Sequence, residues 1–548
     1  MGEDHSPARK GEGAREPDRN GLGPVRTAAK VPPMRAAAAQ GAHPIARACG
    51  LVAVLAIVWF VWTTVQRIGY PYELEWMEGA MVDHALRVRD GLPVYCPPTL
   101  EHVAFLYTPL LFQLGAACTA LVGEGPQALR LVSAASALAT MAVLYLWVRR
   151  ETGQPLQGLL AAGLYAAGHG YLRSWYDLAR NDSLLVFFLL LTAFLVRIGS
   201  MRSLLVAGAT AALALLAKQT AVMWLPALCT GALLLDRRRG LVFAASAAAC
   251  IGATLLVAHV VTGGWFTFFV FEMPRGHGTQ DEYWVRFWTD DLLVLLPMLT
   301  GALALCAGLW REGKRGEALF FAALGGGGLL TSFLSRLHAG GYDNVLIFAL
   351  LGGVLLLAQL PRLGSRARTA GAVLVALQFA LLLVDVRALW QPERPLLPAA
   401  SSQLLPRPSH REATEQLVAW LRSQPGEVLV PFHGHLPRLA GKRPSAHGQA
   451  LADIMQRLAK DLESGRSSTH GAMALESMMA SCDRTFGPGG VDAVLLELPH
   501  GPVFEAFFAR WLTAFERADV LPIAEPQALQ PAVGMVTHSP YVLVRKKG

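Results

Sequence analysis

The sequence predicts a mainly α-helical, polytopic membrane protein with about eleven spans, one interfacial helix and a small C-terminal α/β domain. Three observations lead there. Hydrophobic side chains make up 53% of the 548 residues and charged ones 16%, against about 25% charged in soluble domains. Apolar runs of bilayer-spanning length recur from Ala48 to Val386. Beyond Leu389 the pattern changes to amphipathic stretches alternating with short β-type runs. This composition excludes an ordinary soluble enzyme and a disordered scaffold. The net charge of +8 does not indicate nucleic acid, because no basic module interleaved with aromatics occurs.

Residues 1–47 are polar, rich in Gly, Pro, Ala and Arg, and lack hydrophobic periodicity. They read as a disordered cytoplasmic tail. Its basic residues are spread out, whereas a signal peptide packs them directly before its apolar core. Twelve apolar runs follow: Ala48–Val65, Phe105–Val122, Gln127–Val148, Leu156–Tyr171, Ser183–Ile198, Ser203–Ala217, Ala221–Leu235, Leu241–Val261, Leu292–Trp310, Ala318–Leu334, Tyr342–Leu360 and Thr369–Val386. Basic clusters at Arg149-Arg150, Arg197 with Arg202, Arg237 to Arg239, Arg311 to Arg315 and Arg362 to Arg368 occupy every second connection from the third run onward. Positive residues mark cytoplasmic loops, so the third run enters from outside, and the first run already ends there. The second run, Phe105–Val122, is therefore expected to lie at the outer interface or re-enter, without crossing. The expected layout is an inner-membrane protein with a cytoplasmic N-terminus.

The transmembrane domain then covers residues 48–389, with an acidic first outer loop at 67–104, and residues 390–548 form an extracytoplasmic α/β domain. Its helices are expected near Glu412–Arg422, Gln449–Glu463 and Val503–Phe515, and its strands at Glu427–Val430, Val491–Leu498 and Tyr541–Val544. Prolines at 392, 395, 398, 406 and 408 read as a stiff linker before it.

Polar groups gather at the outer ends of the runs. The densest set is Tyr72-Glu73-Leu74-Glu75-Trp76-Met77-Glu78-Gly79, followed by Asp83 and His84. Three carboxylates beside a membrane interface repel one another and are costly to desolvate; an acidic helix N-terminus would be the bland alternative. On the same face the topology brings Arg180-Asn181-Asp182, Lys218, and Ser335-Arg336-Leu337-His338-Ala339-Gly340-Gly341-Tyr342-Asp343-Asn344. Lys218 could simply snorkel to the interface, while Arg336 and His338 could receive an anion. Acidic and basic clusters on one membrane face suit a lipid-phosphate substrate. A sugar carried on such a phosphate needs one general base for the acceptor hydroxyl, not the two flanking carboxylates of a glycosidase.

The acidic motif after the first run, Tyr107-Thr108-Pro109, Arg180-Asn181-Asp182 and the tip from His338 to Asn344 together resemble membrane glycosyltransferases of the GT-C superfamily. The similarity is to the bacterial protein O-mannosyltransferase and aminoarabinose-transferase type (glycosyltransferase families 39 and 83) and covers roughly Ala48 to Leu360. It implies a polyprenyl-phosphate sugar donor, a lipid, glycan or protein acceptor, and a catalytic carboxylate in the first outer loop. Carried over, the base falls on Glu75, with Glu73 as rival and Glu78 as partner. Asp182 would orient the acceptor or a metal. Arg180, Lys218, Arg336 and His338 would hold the phosphate, and Tyr107, Asn181, Asp343 and Asn344 would line the substrate site. Where relatives carry an Asp-Glu or Asp-x-Asp pair, this chain has Glu-Leu-Glu, so a divalent ion such as Mg²⁺ or Mn²⁺ on Glu73 and Glu75 stays open. A transporter or lipid flippase is the alternative. It would place ionisable residues near the bilayer midplane in two repeated halves, and neither feature is present.

Two further groupings stand apart. His433, His435 and His447 have the ligand types for zinc, although a polar loop after a strand is the simpler reading. Of the seven cysteines, Cys49, Cys118, Cys229, Cys250 and Cys306 lie in apolar runs as small hydrophobes. Cys96 and Cys482 fall outside them, where a disulfide is chemically allowed.

Overall fold

A computed structural model describes residues 43–392, 394–398, 404–465, 467–518, 523, 525–533 and 539–546. The expected cytoplasmic tail therefore lies almost wholly outside the described residues. Helix α1 (Pro44–Ile68) starts on a proline, where the missing N–H breaks no helical bond. After α2 (Glu78–Arg89) and α3 (Leu110–Val122) come α4 (Pro126–Thr152), α5 (Pro155–Tyr171), α6 (Asp182–Ile198), α7 (Met201–Ala217), α8 (Ala221–Leu235) and α9 (Arg237–Val261). Ser200 and Asp236 cap α7 and α9 by accepting the Ser203 and Arg239 amides. The later helices are α10 (Leu296–Arg311), α11 (Arg315–Leu337), α12 (Ile347–Leu357) and α13 (Ser365–Leu383).

Among the described residues, seven helical segments are long and apolar enough to cross a membrane: Pro44–Ile68, Pro126–Thr152, Arg237–Val261, Leu293–Arg311, Arg315–Leu337, Asp343–Leu363 and Ser365–Leu383. The chain is a multi-pass membrane protein. The remaining four expected spans form shorter helices, α5 to α8, of 17, 17, 17 and 15 residues. At 1.5 Å per residue these reach about 23–26 Å. Helix α3, the run expected not to cross, has 13 residues, about 20 Å, well short of the ~30 Å hydrocarbon core. The 18-residue apolar window within Asp343–Leu363 is wholly buried, whereas only 11% of the α9 window is; one is the centre of the bundle and the other its rim.

Charged networks hold both ends of the bundle. At one end Arg197 pairs with Glu151 (2.7 Å) and Glu317 (3.2 Å), and Arg362 pairs with the same two carboxylates (3.2 and 2.7 Å). The basic residues that marked topology thus also tie α4, α6 and α11 together. At the other end lie the loops 69–109, 172–181, 218–220 and 263–295.

The C-terminal segment carries α14 (Pro408–Ser423), β1 (Glu427–Leu429), α15 (Gly448–Ser464), α16 (Thr469–Phe486), β2 (Val491–Leu498), α17 (Gly501–Leu512), β3 (Phe515–Arg517) and β4 (Ser539–Arg545). The strand order is β1-β2-β4-β3. β1 runs parallel to β2, and the other two pairings are antiparallel. β2 is covered on both faces: Ala493 and Leu495 pack with Leu417 and Val542, while Val494 and Leu496 pack with Leu451, Ile454 and Phe504. Period-two alternation puts successive residues on opposite sides, so a strand buried on both reads as a continuous apolar run.

Residues 43 onward form one compact unit, and the prolines after Val386 are no free spacer. Arg394 reaches back to Asp343 (3.1 Å), and Arg387 pairs with Asp385 (2.7 Å) beside Asp291. These ion pairs, not proline stiffness, fix the connection. Cys96 and Cys482 are both free thiols. Cys96 sits against Arg87, and Cys482 is buried among apolar groups, so the allowed disulfide is not formed.

Candidate functional site

Arg130, on α4, organises the first loop. Its guanidinium is fully buried and donates to the carbonyls of Arg67 (3.0 Å), Tyr70 (2.6 Å) and Tyr72 (2.7 Å), and to Glu78. Glu78 in turn accepts the amides of Leu74 (2.7 Å), Glu75 (3.3 Å) and Ala179 (2.7 Å). Burial alone would raise the Glu78 carboxyl, but the adjacent Arg130 and these amides hold it below its ordinary value. Glu78 is therefore an ionised structural strut. A second buried pair, Arg67 with Asp177 (3.0 Å), and the Arg67 bond to the Ser174 carbonyl (2.9 Å) seat the 172–181 loop. Arg173 and Ser174 adopt φ of +51° and +60° there, left-handed values that a tight reversal after α5 imposes.

The other two carboxylates part company. Glu73 turns to the C-terminal segment, accepting the Gly79 amide at 3.2 Å and meeting His433 Nδ1 at 3.1 Å. Glu75 faces a cavity of about 270 Å³. Its Oε2 accepts the Met77 amide (3.3 Å) and lies 3.3 Å from Arg180 Nη1. Burial pushes the Glu75 carboxyl up to about 7, with Arg180 opposing that rise and Glu78 adding to it. A carboxyl poised near neutrality in a cleft suits proton abstraction.

Around the same cavity stand Tyr107, Arg180, Asp182, Lys218, His338 and Asn344. Arg180 donates to the Tyr107 hydroxyl (2.7 Å) and lies over the Tyr107 and Trp175 rings at 5.3 and 5.5 Å. Lys218 does not snorkel away. Its Nζ binds Asp182 Oδ1 at 2.9 Å, an oxygen that also accepts from Asn344 Nδ2 at 3.0 Å. Asp182 Oδ2 is buried without a hydrogen-bond partner. The cavity thus joins a high-pKa carboxylate, two cations and an unsaturated carboxylate oxygen.

Other expected members lie outside it. Asn181 is buried and donates to the Ala217 carbonyl (2.7 Å). Arg336 does not reach the cavity lining: it is engaged by Asp291 (2.8 Å), Asp343 (3.2 Å) and the Gly341 carbonyl (2.9 Å), over the Tyr283 ring. Asp343 is likewise enclosed by Arg173, Arg336 and Arg394. Glu73 and Glu75 do not fit a shared divalent ion, because each carboxylate is committed to different partners. Among the described residues no group of three or more His, Cys, Asp and Glu is arranged to hold a metal. The zinc grouping dissolves for the same reason. His433 is spanned by Glu73 and Glu497, and His447 donates to the Trp76 carbonyl (3.0 Å) and accepts the Gln449 amide (3.1 Å).

Sequence reasoning missed several lining residues. His277 Nδ1 lies 3.2 Å from His338 Nε2, and its Nε2 lies 3.0 Å from Asp453 on α15. Trp175 and Tyr342 add aromatic walls, and Gln449 donates to Asp453 (2.6 Å). His277 and Asp453 lie among other charged residues, Arg275, Asp281 and Glu282 around the first and Arg457, Lys460 and Asp461 after the second, so nothing local singled them out.

Residues 107–265 match the family model described as dolichyl-phosphate-mannose-protein mannosyltransferase. Across 90% of this chain and 97% of its own, ArnT from Cupriavidus metallidurans bound to undecaprenyl phosphate superposes with a TM-score of 0.52 at 13% identity. The resemblance is to the GT-C membrane glycosyltransferases. The apo form of the same ArnT gives a TM-score of 0.50 at 14% identity, again over 90% and 97% of the two chains. The Archaeoglobus fulgidus oligosaccharyltransferase tethered to an acceptor peptide gives 0.48 at 12% identity, over 84% of this chain and 70% of its own. No curated protein matches the chain in sequence. This chain shares the fold of that ArnT.

Proposed function

We propose that the chain transfers a sugar from a polyprenyl-phosphate donor to an acceptor hydroxyl at the extracytoplasmic face of the membrane, with inversion. The observation that carries this reading is one cavity lined jointly by Glu75, Arg180 and Lys218. The mannosyltransferase-family match over 107–265 and the fold shared with an undecaprenyl-phosphate-bound ArnT support the donor class.

In this reading the singly charged donor phosphodiester rests against Arg180 and Lys218, whose charges also favour the second negative charge that the departing phosphate gains. Glu75 accepts the proton of the acceptor hydroxyl as that oxygen bonds the anomeric carbon. The bond from that carbon to the phosphate oxygen breaks, and its electron pair leaves on the phosphate. The two cations offset the charge that develops there. Asp182 Oδ2 is available to take a sugar or acceptor hydroxyl, and the Trp175 and Tyr107 faces suit a pyranose ring.

The test is consumption of a panel of polyprenyl-phosphate sugars by the full chain in lipid nanodiscs, with acceptor extract and divalent ions supplied. Loss of one donor is expected. If every donor survives, the assignment fails and a flux assay for transport takes its place.

A further inference from the structure

Glu73, the rival of Glu75 for the base, is occupied by the C-terminal segment. The sheet explains how. β1 pairs in parallel with β2 in the register Leu429 to Val494, so the chain leaving β1 travels beside the end of β2 and brings His433 level with Glu497. His433 Nε2 bonds Glu497, and Nδ1 bonds Glu73 at 3.1 Å. All three side chains are at least nine-tenths buried. His433 is held protonated: burial opposes its charge, but the carboxylates of Glu497 and Glu73 outweigh burial.

The neighbouring contacts converge on the same short stretch. Gly79 and Gly434 pack backbone to backbone, and a methyl on either would overlap the other chain. The His435 amide donates to Asp83 (2.9 Å), Arg438 pairs with Asp83 (3.2 Å), His447 donates to the Trp76 carbonyl (3.0 Å), and the Val533 amide donates to the Leu74 carbonyl (2.8 Å). Within the stretch, the Gly79 amide is closed by Glu73 and the Leu74 and Glu75 amides by Glu78. Glu75 sits inside this clasp. A clasp made by a buried carboxylate holds only while that carboxylate keeps its counter-charge.

We infer that His433 is a positioning residue: bracketed by Glu497 and Glu73, it keeps the Glu73 carboxylate on Gly79 and so fixes the loop that aims Glu75 into the cavity. The inference rests on Glu75 being the base, and a carboxylate displaced by about 1 Å can cost roughly a hundredfold in rate. Removing the imidazole leaves Glu73 buried beside Glu497 and Glu78, three carboxylates with one fewer cation. Burial already raises the Glu73 carboxyl to about 7 against the pull of His433, so without the imidazole Glu73 takes a proton or turns away, and the clasp opens.

The test uses the full chain in nanodiscs, wild type beside His433→Gln. Two readouts are taken: single-turnover donor consumption with donor Kd, and amide hydrogen exchange across residues 73–80 and across β2. The variant is expected to lose at least about tenfold in rate with donor Kd within twofold. Exchange should quicken in 73–80 while β2 stays protected. Glu73→Gln combined with His433→Gln should be no slower than His433→Gln alone, since both act through one contact. A variant rate within twofold of wild type overturns the inference, as does unchanged exchange in 73–80. Collapse of β2 protection and donor binding together would show a structural role only. If His433→Gln does not fold, Glu497→Gln keeps the shape and removes one charge, and wild-type rate and exchange there overturn the inference equally. The exchange readout needs no turnover, so it separates failure of this inference from failure of the glycosyltransferase reading.

Discussion

Replacing Glu75 with Gln should remove activity and make the protein more stable, and the pH at which this is measured decides the size of the second effect. The side chain is 1% exposed, and its carboxyl is raised from 4.5 to about 7. At 1.36 kcal/mol for each factor of ten, keeping Glu75 ionised in the folded protein costs roughly 3 kcal/mol above neutral pH. The attraction of Arg180 is already contained in that value. The sign follows from proton binding: between pH 4.5 and 7 the folded chain holds a proton that the unfolded chain has released, so wild-type stability falls as pH rises through this window. Gln, nearly isosteric with the protonated acid, escapes the penalty. Turnover should meanwhile drop about 10²–10⁴-fold, the usual contribution of a general base. The assay is thermal unfolding of both proteins at pH 5 and pH 8 beside donor consumption. Glu75→Gln should melt above wild type at pH 8, with most of the gap gone at pH 5. Equal melting at both pH values would refute the desolvation argument, and undiminished turnover would remove Glu75 as the base.

Wild-type single-turnover rates should rise with pH along a limb centred near 7 as Glu75 ionises; a flat profile from pH 6 to 8 contradicts this. Arg180→Met should weaken donor binding about 10- to 100-fold, the worth of a charge-assisted hydrogen bond, and an unaltered donor Kd would end its phosphate role. Arg130→Met strands Glu78 in the interior and should cost about 3–5 kcal/mol, seen as a lowered melting temperature; melting at the wild-type temperature would mean that Glu78 finds another partner. A cysteine replacing Gly123 should react with a membrane-impermeant reagent from the same side as one replacing Gly91. Reaction from opposite sides would show that α3 crosses.

The membrane helices were legible because bilayer spans announce themselves in composition and in alternating basic clusters. The odd run, Phe105–Val122, was set apart by charge parity, and its helix is the shortest of the apolar helices from Pro44 to Leu235, with 13 residues. The three expected strands also match β1, β2 and β4 closely, since apolar runs bounded by Gly and Pro leave few alternatives. Helix α16 and the short β3 were not foreseen; the first lacks a clean apolar stripe and the second has three residues. At the site, the sequence could name Glu73, Glu75 and Glu78 but not divide their labour. That division depends on Arg130, His433 and Arg180, residues 52, 360 and 105 positions from their partners, and no local pattern encodes such pairings. Arg336 and Asp343 looked like ligands for the opposite reason. Seven residues apart, their charges partly satisfy each other.

The separation of 360 residues between Glu73 and His433 has a consequence for how the protein is made. Translation proceeds at roughly 5–20 residues per second, so the first loop emerges tens of seconds before the histidine that holds it. Through that interval the membrane helices can insert and pair, yet the loop has neither its histidine nor the still later amide of Val533. A nascent or truncated chain would therefore carry every lining residue from the first half and still leave Glu75 unaimed. On the positioning role inferred for His433, the site is armed only after the segment carrying it has been made.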